Sequence, residues 1–295
     1  MHIADVLAKP GIHFSFEFFP PKTEKSSGVL FQSIKELAPI EPAYVSVTYG
    51  AGGSSRDLTH DLVVRARKET NLTVVAHLTT IGATKSELRE ILERYSDSGI
   101  ENIMALRGDR PKGVQDFFQP KDGFEHAVDL VKFIKKEFPH MGVGVAGFPE
   151  GHPETPNRLK EMDYLKAKVD AGADYICTQL FFKNGDYYDF RDRCALAKIH
   201  VPIIAGIMPI TSRSGMERIS ELALGARIPA KLQRAISRTR DDEAVAKVGI
   251  HWATQQVFDL FDRGVTGIHF YTLNKSKPTL KIYGALGVSP EDKPR

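Results

Sequence analysis

The sequence contains very little cysteine, since Cys177 and Cys194 are the only two in 295 residues. Two thiols are too few for a disulfide framework or a cysteine-rich metal cluster. Cys177 falls in an apolar predicted strand and Cys194 on a predicted helix, so we expect both to be buried packing residues. No spacing of His, Asp and Glu matches a metal-binding motif either, and we predict no metal site.

Long apolar runs and segregated charge are also missing. No stretch approaches the roughly 20 apolar residues of a membrane-spanning helix, and the N-terminal segment MHIADVLAKPG does not resemble a secretory signal. The 40 basic residues are interspersed with 37 acidic ones, for a net charge of +3, which does not predict nucleic-acid binding. We therefore expect a cytoplasmic protein that binds small molecules, anions among them, and neither a membrane nor a nucleic acid.

Eight short apolar segments recur along the chain, mostly about 30 to 40 residues apart, which is the length of one βα unit. The intervals carry helical periodicity and no run of hairpins, so parallel pairing through helical crossovers is expected. Eight such units favour an α/β fold closed into a single-domain (β/α)8 barrel over residues 1–295. The predicted strands begin at His13, Tyr44, Val74, Asn102, Gly142, Tyr175, Pro202 and Gly267.

Capping signals predict where several helices begin. Thr84 and Glu87 have the spacing of a capping box after the third strand. Thr155 followed by Pro156 predicts another start, with proline at the first helical position. The interval between the last two strands is too long for one helix, and residues 228–236 predict a short helix before a long one.

Polar side chains stand at the C-terminal ends of the predicted strands, where barrel enzymes build their active sites. Glu17 is the most informative, because strand alternation turns Phe16 and Phe18 outward and this carboxylate toward the barrel axis. Desolvation there favours the neutral acid, which could serve as a general acid; the alternative is a structural glutamate paired with an interior arginine or lysine. The other polar residues in or just after the predicted strands are Thr48, Tyr49, His77, Thr79, Arg107, Asp109, Glu150, His152, Gln179, Tyr271 and Asn274.

Several of these signals have plainer interpretations. Asp109 and Arg107 could form a loop ion pair, and His77 could be a satisfied core histidine. Residues 142–147, GVGVAG, match the G-x-G-x-x-G spelling, but they read as a strand with no helix directly after it, so we reject a dinucleotide motif. Residues 52–55, GGSS, are a weak candidate for an anion cradle.

A set of motifs spread over essentially the whole chain carries a family resemblance. They are FEFFPPK (16–22), VSVTYGAGG (45–53), HLT (77–79), LRGD (106–109), GFPEGHPE (147–154), DAGAD with TQLFF (170–182), GIMPI (206–210) and HFYTLN (269–274). Any one of them alone would be unspecific. Together and in this order, they resemble the methylenetetrahydrofolate reductase family.

The resemblance implies a flavoenzyme with a ping-pong mechanism. NADH or NADPH would reduce FAD, and the reduced flavin would pass hydride to 5,10-methylenetetrahydrofolate, giving 5-methyltetrahydrofolate for methionine synthesis and one-carbon metabolism. Glu17 would protonate N10 as the folate ring opens. Asp109, near the flavin and the pterin, would disfavour extra negative charge on the flavin and attract the iminium cation.

The resemblance also implies binding residues. Substrate contacts would be made by Glu17, Gln179, Ile219, Tyr271 and Lys275. FAD contacts would be made by Thr48, His77, Arg107, Gly108, Asp109, His126, Ala127, Phe148, His152, Glu161, Tyr164 and Lys168.

Five positions depart from the best-known bacterial pattern of the family. Phe148 and His126 each replace a tyrosine, Gly215 replaces a glutamine and Lys275 replaces an arginine. Ala167 replaces an arginine beside the FAD phosphates. Loss of this guanidinium fork bears on how tightly FAD is held and leaves that tightness open, whereas the reaction is expected to be the same.

The resemblance carries further expectations and leaves two alternatives. The chain ends soon after Tyr283, without room for the C-terminal regulatory domain of eukaryotic relatives, so we expect no control by adenosylmethionine; we also expect a homo-oligomer. One alternative is a flavin-free relative that transfers hydride directly from nicotinamide to folate, which the flavin-contact residues disfavour. The other is a non-catalytic barrel that binds pterin or a partner enzyme, which Glu17 and Asp109 disfavour.

Overall fold

Eight parallel strands form a closed barrel in which each pairs with its neighbours in chain order and the eighth pairs with the first. The structure is a computed structural model that describes residues 1–21, 23–49, 56–109, 119–223 and 225–287. The candidate anion cradle at 52–55 lies outside the described residues. The predicted α/β class and (β/α)8 barrel are confirmed. The strands are β1 (His13–Phe18), β2 (Tyr44–Val47), β3 (Val74–Thr79), β4 (Asn102–Leu106), β5 (Gly142–Gly147), β6 (Tyr175–Thr178), β7 (Ile203–Ile207) and β8 (Gly267–Tyr271).

Helices connect the strands around the outside of the barrel. Three of them occupy the interval before the last strand; the short helix and the long helix predicted there are present, and a further helix before them was not predicted. Every helix in the described ranges is too short or too polar to traverse a lipid bilayer. The helices are α1 (Ile3–Leu7), α2 (Glu24–Leu37), α3 (Arg56–Thr70), α4 (Lys85–Asp97), α5 (Ala127–Glu137), α6 (Arg158–Asp170), α7 (Asn184–Leu196), α8 (Arg213–Leu222), α9 (Ala230–Ser237), α10 (Asp242–Asp262) and α11 (Ser276–Leu286).

Side-chain caps test two of the predicted helix starts. At α4 the predicted capping box is confirmed, because the Thr84 hydroxyl accepts the Glu87 N–H at 3.2 Å and the Glu87 carboxylate accepts the Thr84 N–H at 2.8 Å. At α6 the predicted start at 155–156 is wrong, and the helix begins at Arg158. Asn157 is the cap, since its side-chain oxygen accepts two N–H groups of the first turn.

Alternation along the strands separates two apolar regions. On β1, Phe14, Phe16 and Phe18 face outward and belong to the main core between strands and helices. Cys194 also lies in this core, while Cys177 lies inside the barrel; both are buried, as predicted. The cluster inside the barrel consists of Ile3 from α1 together with Tyr44, Val75, Met104, Tyr175, Cys177 and Ile204.

Glycines on the inner face of β5 make room for large polar neighbours. A Cβ on Gly144 would lie 2.4 Å from the ring of Tyr175, and a Cβ on Gly142 would lie 2.6 Å from the side-chain oxygen of Asn102. That oxygen accepts the backbone N–H of Ile3 at 3.1 Å, which ties α1 to the barrel. The G-x-G spelling of this strand therefore reflects interior packing, in agreement with its rejection as a dinucleotide motif.

A smaller apolar cluster, the small core, lies beyond the C-terminal ends of β6 and β7. It joins residues that follow these strands, such as Leu180 and Met208, to α8, α9 and the beginning of α10. Among the described side chains, its buried members in this region are Ile219 of α8 and Ala223, which directly follows the helix. We call α8, α9 and the segment between them the cap.

The glycines predict a stability test. Gly144→Ala should lower the free energy of unfolding by about 1–3 kcal/mol, because the Tyr175 ring leaves no space for a methyl group. Gly28→Ala on α2 is the matched control, since a Cβ there meets nothing within 4 Å, and it should stabilise the protein by about 0.5–1 kcal/mol. Urea unfolding measures both, and equal effects of the two substitutions would contradict the packing argument.

Candidate active site

A cleft of about 1160 Å³ opens at the C-terminal end of the barrel. Every residue that the sequence analysis assigned to catalysis, cofactor binding or substrate binding lines it. These residues come from seven of the eight strands or the segments that follow them, and from α5, α6 and α8. Closure of the barrel therefore brings together side chains that are far apart in the sequence.

Glu17 sits on β1 between Ser46 of β2 and Tyr271 of β8. Its side chain is buried, and its Oε2 lies 3.5 Å from Nε2 of His77 and 3.8 Å from Nε2 of His269. Within the described ranges, these two histidines are the basic groups within 4 Å of this carboxyl. The alternative of a structural partnership with arginine or lysine therefore does not hold for the described residues.

The surroundings of Glu17 keep one of its neighbours neutral. Burial lowers the pKa of His77, and the nearby His269 lowers it further, while Glu17 opposes the shift. A lowered pKa favours the uncharged imidazole at neutral pH, so His77 lies beside the Glu17 carboxyl without forming a permanent ion pair. The position is thus a buried acid beside a neutral imidazole.

His269 is a site residue that the sequence analysis missed. Its Nδ1 lies 2.8 Å from Oγ of Ser15, and its ring stacks on Tyr44 with centroids 5.7 Å apart. Tyr271, on the same face of β8, meets the edge of this ring at 5.1 Å and donates its hydroxyl hydrogen to the carbonyl of Thr178 at 2.7 Å. The signal was available, because alternation along β8 places His269 and Tyr271 on one face.

The segment after β4 turns sharply into the cleft. Gly108 has φ +84°, and a Cβ there would lie 2.8 Å from the side chain of Ile81, so glycine is required for both conformation and space. Arg107 pairs with Glu154 at 2.6 Å rather than with Asp109, so the loop ion pair considered above does not form. Asp109 is exposed and lines the cleft.

The opposite wall carries groups suited to an anion. Lys168 on α6 is half-buried and lines the cleft, and its Nζ donates to the Ala146 carbonyl at 2.8 Å. Desolvation lowers the pKa of Lys168 to about 8, against the opposing charge of Glu161. The N-terminus of α5, with His126 and Ala127, borders the same cleft and presents backbone N–H groups that favour negative charge.

Glu161 organises the hydrogen bonds of this wall. It is buried, its Oε1 accepts the backbone N–H of His152 at 3.0 Å, and its Oε2 lies 3.2 Å from Nη1 of Arg158. The ring of His152 meets that of Phe148 edge-on at 4.7 Å. In the part of the chain that the structure describes, no cluster of His, Cys, Asp and Glu could hold a metal ion.

Comparisons with known proteins agree on one family. A model described as methylenetetrahydrofolate reductase matches residues 2–287. The chain is 40% identical over 280 residues to 5,10-methylenetetrahydrofolate reductase of Escherichia coli (strain K12), with 95% of this chain and 92% of that protein covered. It is 39% identical over 291 residues to methylenetetrahydrofolate reductase (NADH) 1 of Arabidopsis thaliana, where 95% of this chain spans 49% of that protein.

A solved structure shares the barrel. An uncharacterized protein from Clostridium thermocellum, described as binding two copies of 5-methyl-5,6,7,8-tetrahydrofolic acid, matches 97% of both chains with a TM-score of 0.65. Its sequence identity is 16%, so this likeness supports the fold alone. The family model and the bacterial relative together show that the chain belongs to the methylenetetrahydrofolate reductase family.

Proposed function

We propose that the protein reduces 5,10-methylenetetrahydrofolate to 5-methyltetrahydrofolate, with NADH or NADPH as electron donor and FAD as the hydride carrier. The observation that carries the proposal is that Glu17 and Asp109 line the same cleft as Lys168 and the N-terminus of α5. We call the side of the cleft around Lys168 and the start of α5 the cationic wall. The relative from Escherichia coli is named for this folate, and the relative from Arabidopsis thaliana is named with NADH. We also propose that residues 1–295 act as one catalytic barrel.

The cleft fits a flavin dinucleotide together with a second ligand. Its volume of about 1160 Å³ exceeds the roughly 300–1,000 Å³ of an ordinary small-molecule site. The diphosphate would lie against the N-terminus of α5 and Lys168, which replaces part of the charge that an arginine at Ala167 would bring. FAD, when bound, supplies the relay that accepts hydride from the nicotinamide and gives it to the folate.

On the substrate side, the residues have separate tasks. Glu17 delivers a proton to N10 of the folate, which opens the five-membered ring and creates the electrophilic iminium. Asp109 attracts this cation and disfavours excess negative charge on the neighbouring flavin. The side-chain oxygen of Gln179 accepts the N–H of Leu180 at 2.9 Å, so the amide N–H₂ is the group that binds a substrate.

The two substrates use the cleft in turn. Gln179, Ile219, Tyr271 and Lys275 border the same cavity as the proposed cofactor residues, so one face of a flavin held there would serve both the nicotinamide and the pterin. Occupation by one substrate then excludes the other. This geometry supports a ping-pong order.

Colour tests the proposal directly. We expect the purified protein to be yellow and to be bleached by NADH or NADPH before folate is added, with the colour restored by methylenetetrahydrofolate. Anaerobic absorbance spectra measure both steps. Colourless protein that still reduces folate would instead indicate direct transfer from nicotinamide, and yellow protein without turnover would indicate a binding subunit.

Substitution of the acid should separate the two half-reactions. Glu17→Gln should change the rate of flavin reduction by less than about twofold and slow folate reduction by at least about 100-fold, because only the second step needs the proton. Asp109→Asn should raise the flavin reduction potential and slow the same second step. Stopped-flow absorbance and a redox titration measure these effects, and parallel loss of both half-reactions in Glu17→Gln would assign it a structural role.

Retention of FAD should depend on pH through Lys168. Because the pKa of this amine is about 8, it is mostly charged below pH 8 and loses its proton above it. A bound phosphate raises the pKa, so the FAD dissociation constant should rise by up to about tenfold per unit above pH 8. Quenching of flavin fluorescence measures binding, and Lys168→Met should bind weakly with a flatter pH profile; an unchanged slope would contradict the assignment.

A further inference from the structure

Glu150, in the segment that follows β5, carries a buried carboxylate with a well-defined set of donors. Its side chain is 4% exposed. Both oxygens accept the backbone N–H of Arg227, at 3.1 and 3.0 Å, and Oε2 also accepts Nε of Arg227 at 2.7 Å. A charge this buried requires such partners, because an uncompensated carboxylate would destabilise the fold.

The backbone around this pair is equally close. Gly225 has φ +93°, and a Cβ there would lie 2.6 Å from the carbonyl oxygen of Gly151. Segment 225–227 of the cap therefore lies directly on segment 150–151 beyond β5. We call these two segments the seam; its ionic contact is the pair between Glu150 and Arg227.

On one side, the seam follows the C-terminal end of α8. This helix borders the cleft with Ser214, Gly215, Arg218 and Ile219, and Ile219 and Ala223 anchor it in the small core. Apolar contacts of this kind are not directional, so they hold the helix against the small core without fixing its exact position. The charged hydrogen bonds of the seam are directional, so they set where the end of α8 stands.

On the other side, the seam continues toward the cationic wall. The carbonyl oxygen of Glu150 accepts a hydrogen bond from Arg158, whose Nη1 lies 3.2 Å from Glu161. Glu161 in turn holds the backbone of His152 and stabilises the charged form of Lys168. Backbone atoms make the contact of Glu150 with this wall, and among the described residues its carboxylate bonds to Arg227 of the cap.

We propose that Glu150 is a positioning residue for folate: its carboxylate fixes α8 at the distance from β5 that the substrate side of the cleft requires. The inference rests on the proposed function, because it assigns α8 to folate binding. In the described structure Glu150 does not itself line the cleft. Loss of its charge should therefore weaken folate binding while the chemistry at Glu17 and the cofactor wall stay intact.

Two substitutions test this positioning role. Glu150→Gln removes the charge and turns one acceptor into a donor facing the Arg227 N–H groups. Arg227→Ala removes the side-chain donor, together with its 3.7 Å ion pair with Asp186 on α7, and keeps the backbone N–H. Because the Arg227 side chain is 72% exposed, this variant should fold even if the first does not. We expect the KM for folate to rise about tenfold in Glu150→Gln and about threefold in Arg227→Ala, because each variant loses directional charged hydrogen bonds.

The kinetic split distinguishes positioning from general destabilisation. In both variants kcat and the rate of flavin reduction by the nicotinamide should stay within about twofold of wild type, and hydrogen exchange should rise in α8 but not in α5. The matched control is Glu137→Gln. This substitution removes a carboxylate of α5 that pairs with Arg89 of α4 at 2.7 Å. It should change neither KM nor exchange in α8.

The outcomes separate two kinds of failure. If the wild-type protein is active but the seam variants keep the KM for folate, the inference is wrong and the proposed function stands. The same conclusion follows if the seam variants lose both half-reactions in parallel. Wild-type protein that is neither bleached by nicotinamide nor able to reduce folate overturns the proposed function and the inference with it. A raised KM with unchanged flavin reduction, seen in both seam variants and absent from Glu137→Gln, supports the inference.

Discussion

The hydrogen-bonded ladder between β1 and β8 closes the barrel, and the arrangement of the site depends on that closure. It aligns Glu17 with Tyr271 across the last gap in the sheet, with His269 two residues earlier on the same face. These residues are about 250 positions apart in the sequence, yet the ladder fixes their order as firmly as any pair of adjacent strands. An open sheet with the same strands would leave Glu17 at one edge and His269 at the other.

The elements that the sequence revealed were those governed by local periodicity. Glu17 was identifiable because a carboxylate between two phenylalanines conflicts with its surroundings, and the start of α4 was identifiable because Thr84 and Glu87 have the spacing of a capping box. The start of α6 was misplaced because Thr155 and Asn157 compete as caps, and the spacing alone does not decide which of them reaches the first-turn N–H groups. The partial burial of Lys168 was not predictable, since it depends on how α6 packs against β5.

The interior of the barrel combines very large and very small side chains on neighbouring strands. Tyr175 lies against Gly144, and a Cβ on Gly206 would lie 2.8 Å from the ring of Tyr271. Glycines on one strand thus leave room for large rings on the next strand, so a large ring at one position requires a glycine at its neighbour. The interior also holds a buried polar layer of Ser15, His77 and His269, and its two histidines border the cleft.

The small core gives the cap its own support, separate from the packing that holds strands and helices together. Residues such as Leu232 and Ile236 of α9 stabilise the cap without contributing to the main core. Evolution can therefore remodel the cap, and with it the range of ligands accepted, at little risk to the barrel. In a related chain with a different ligand preference, differences should accumulate in this compartment before they reach the strands.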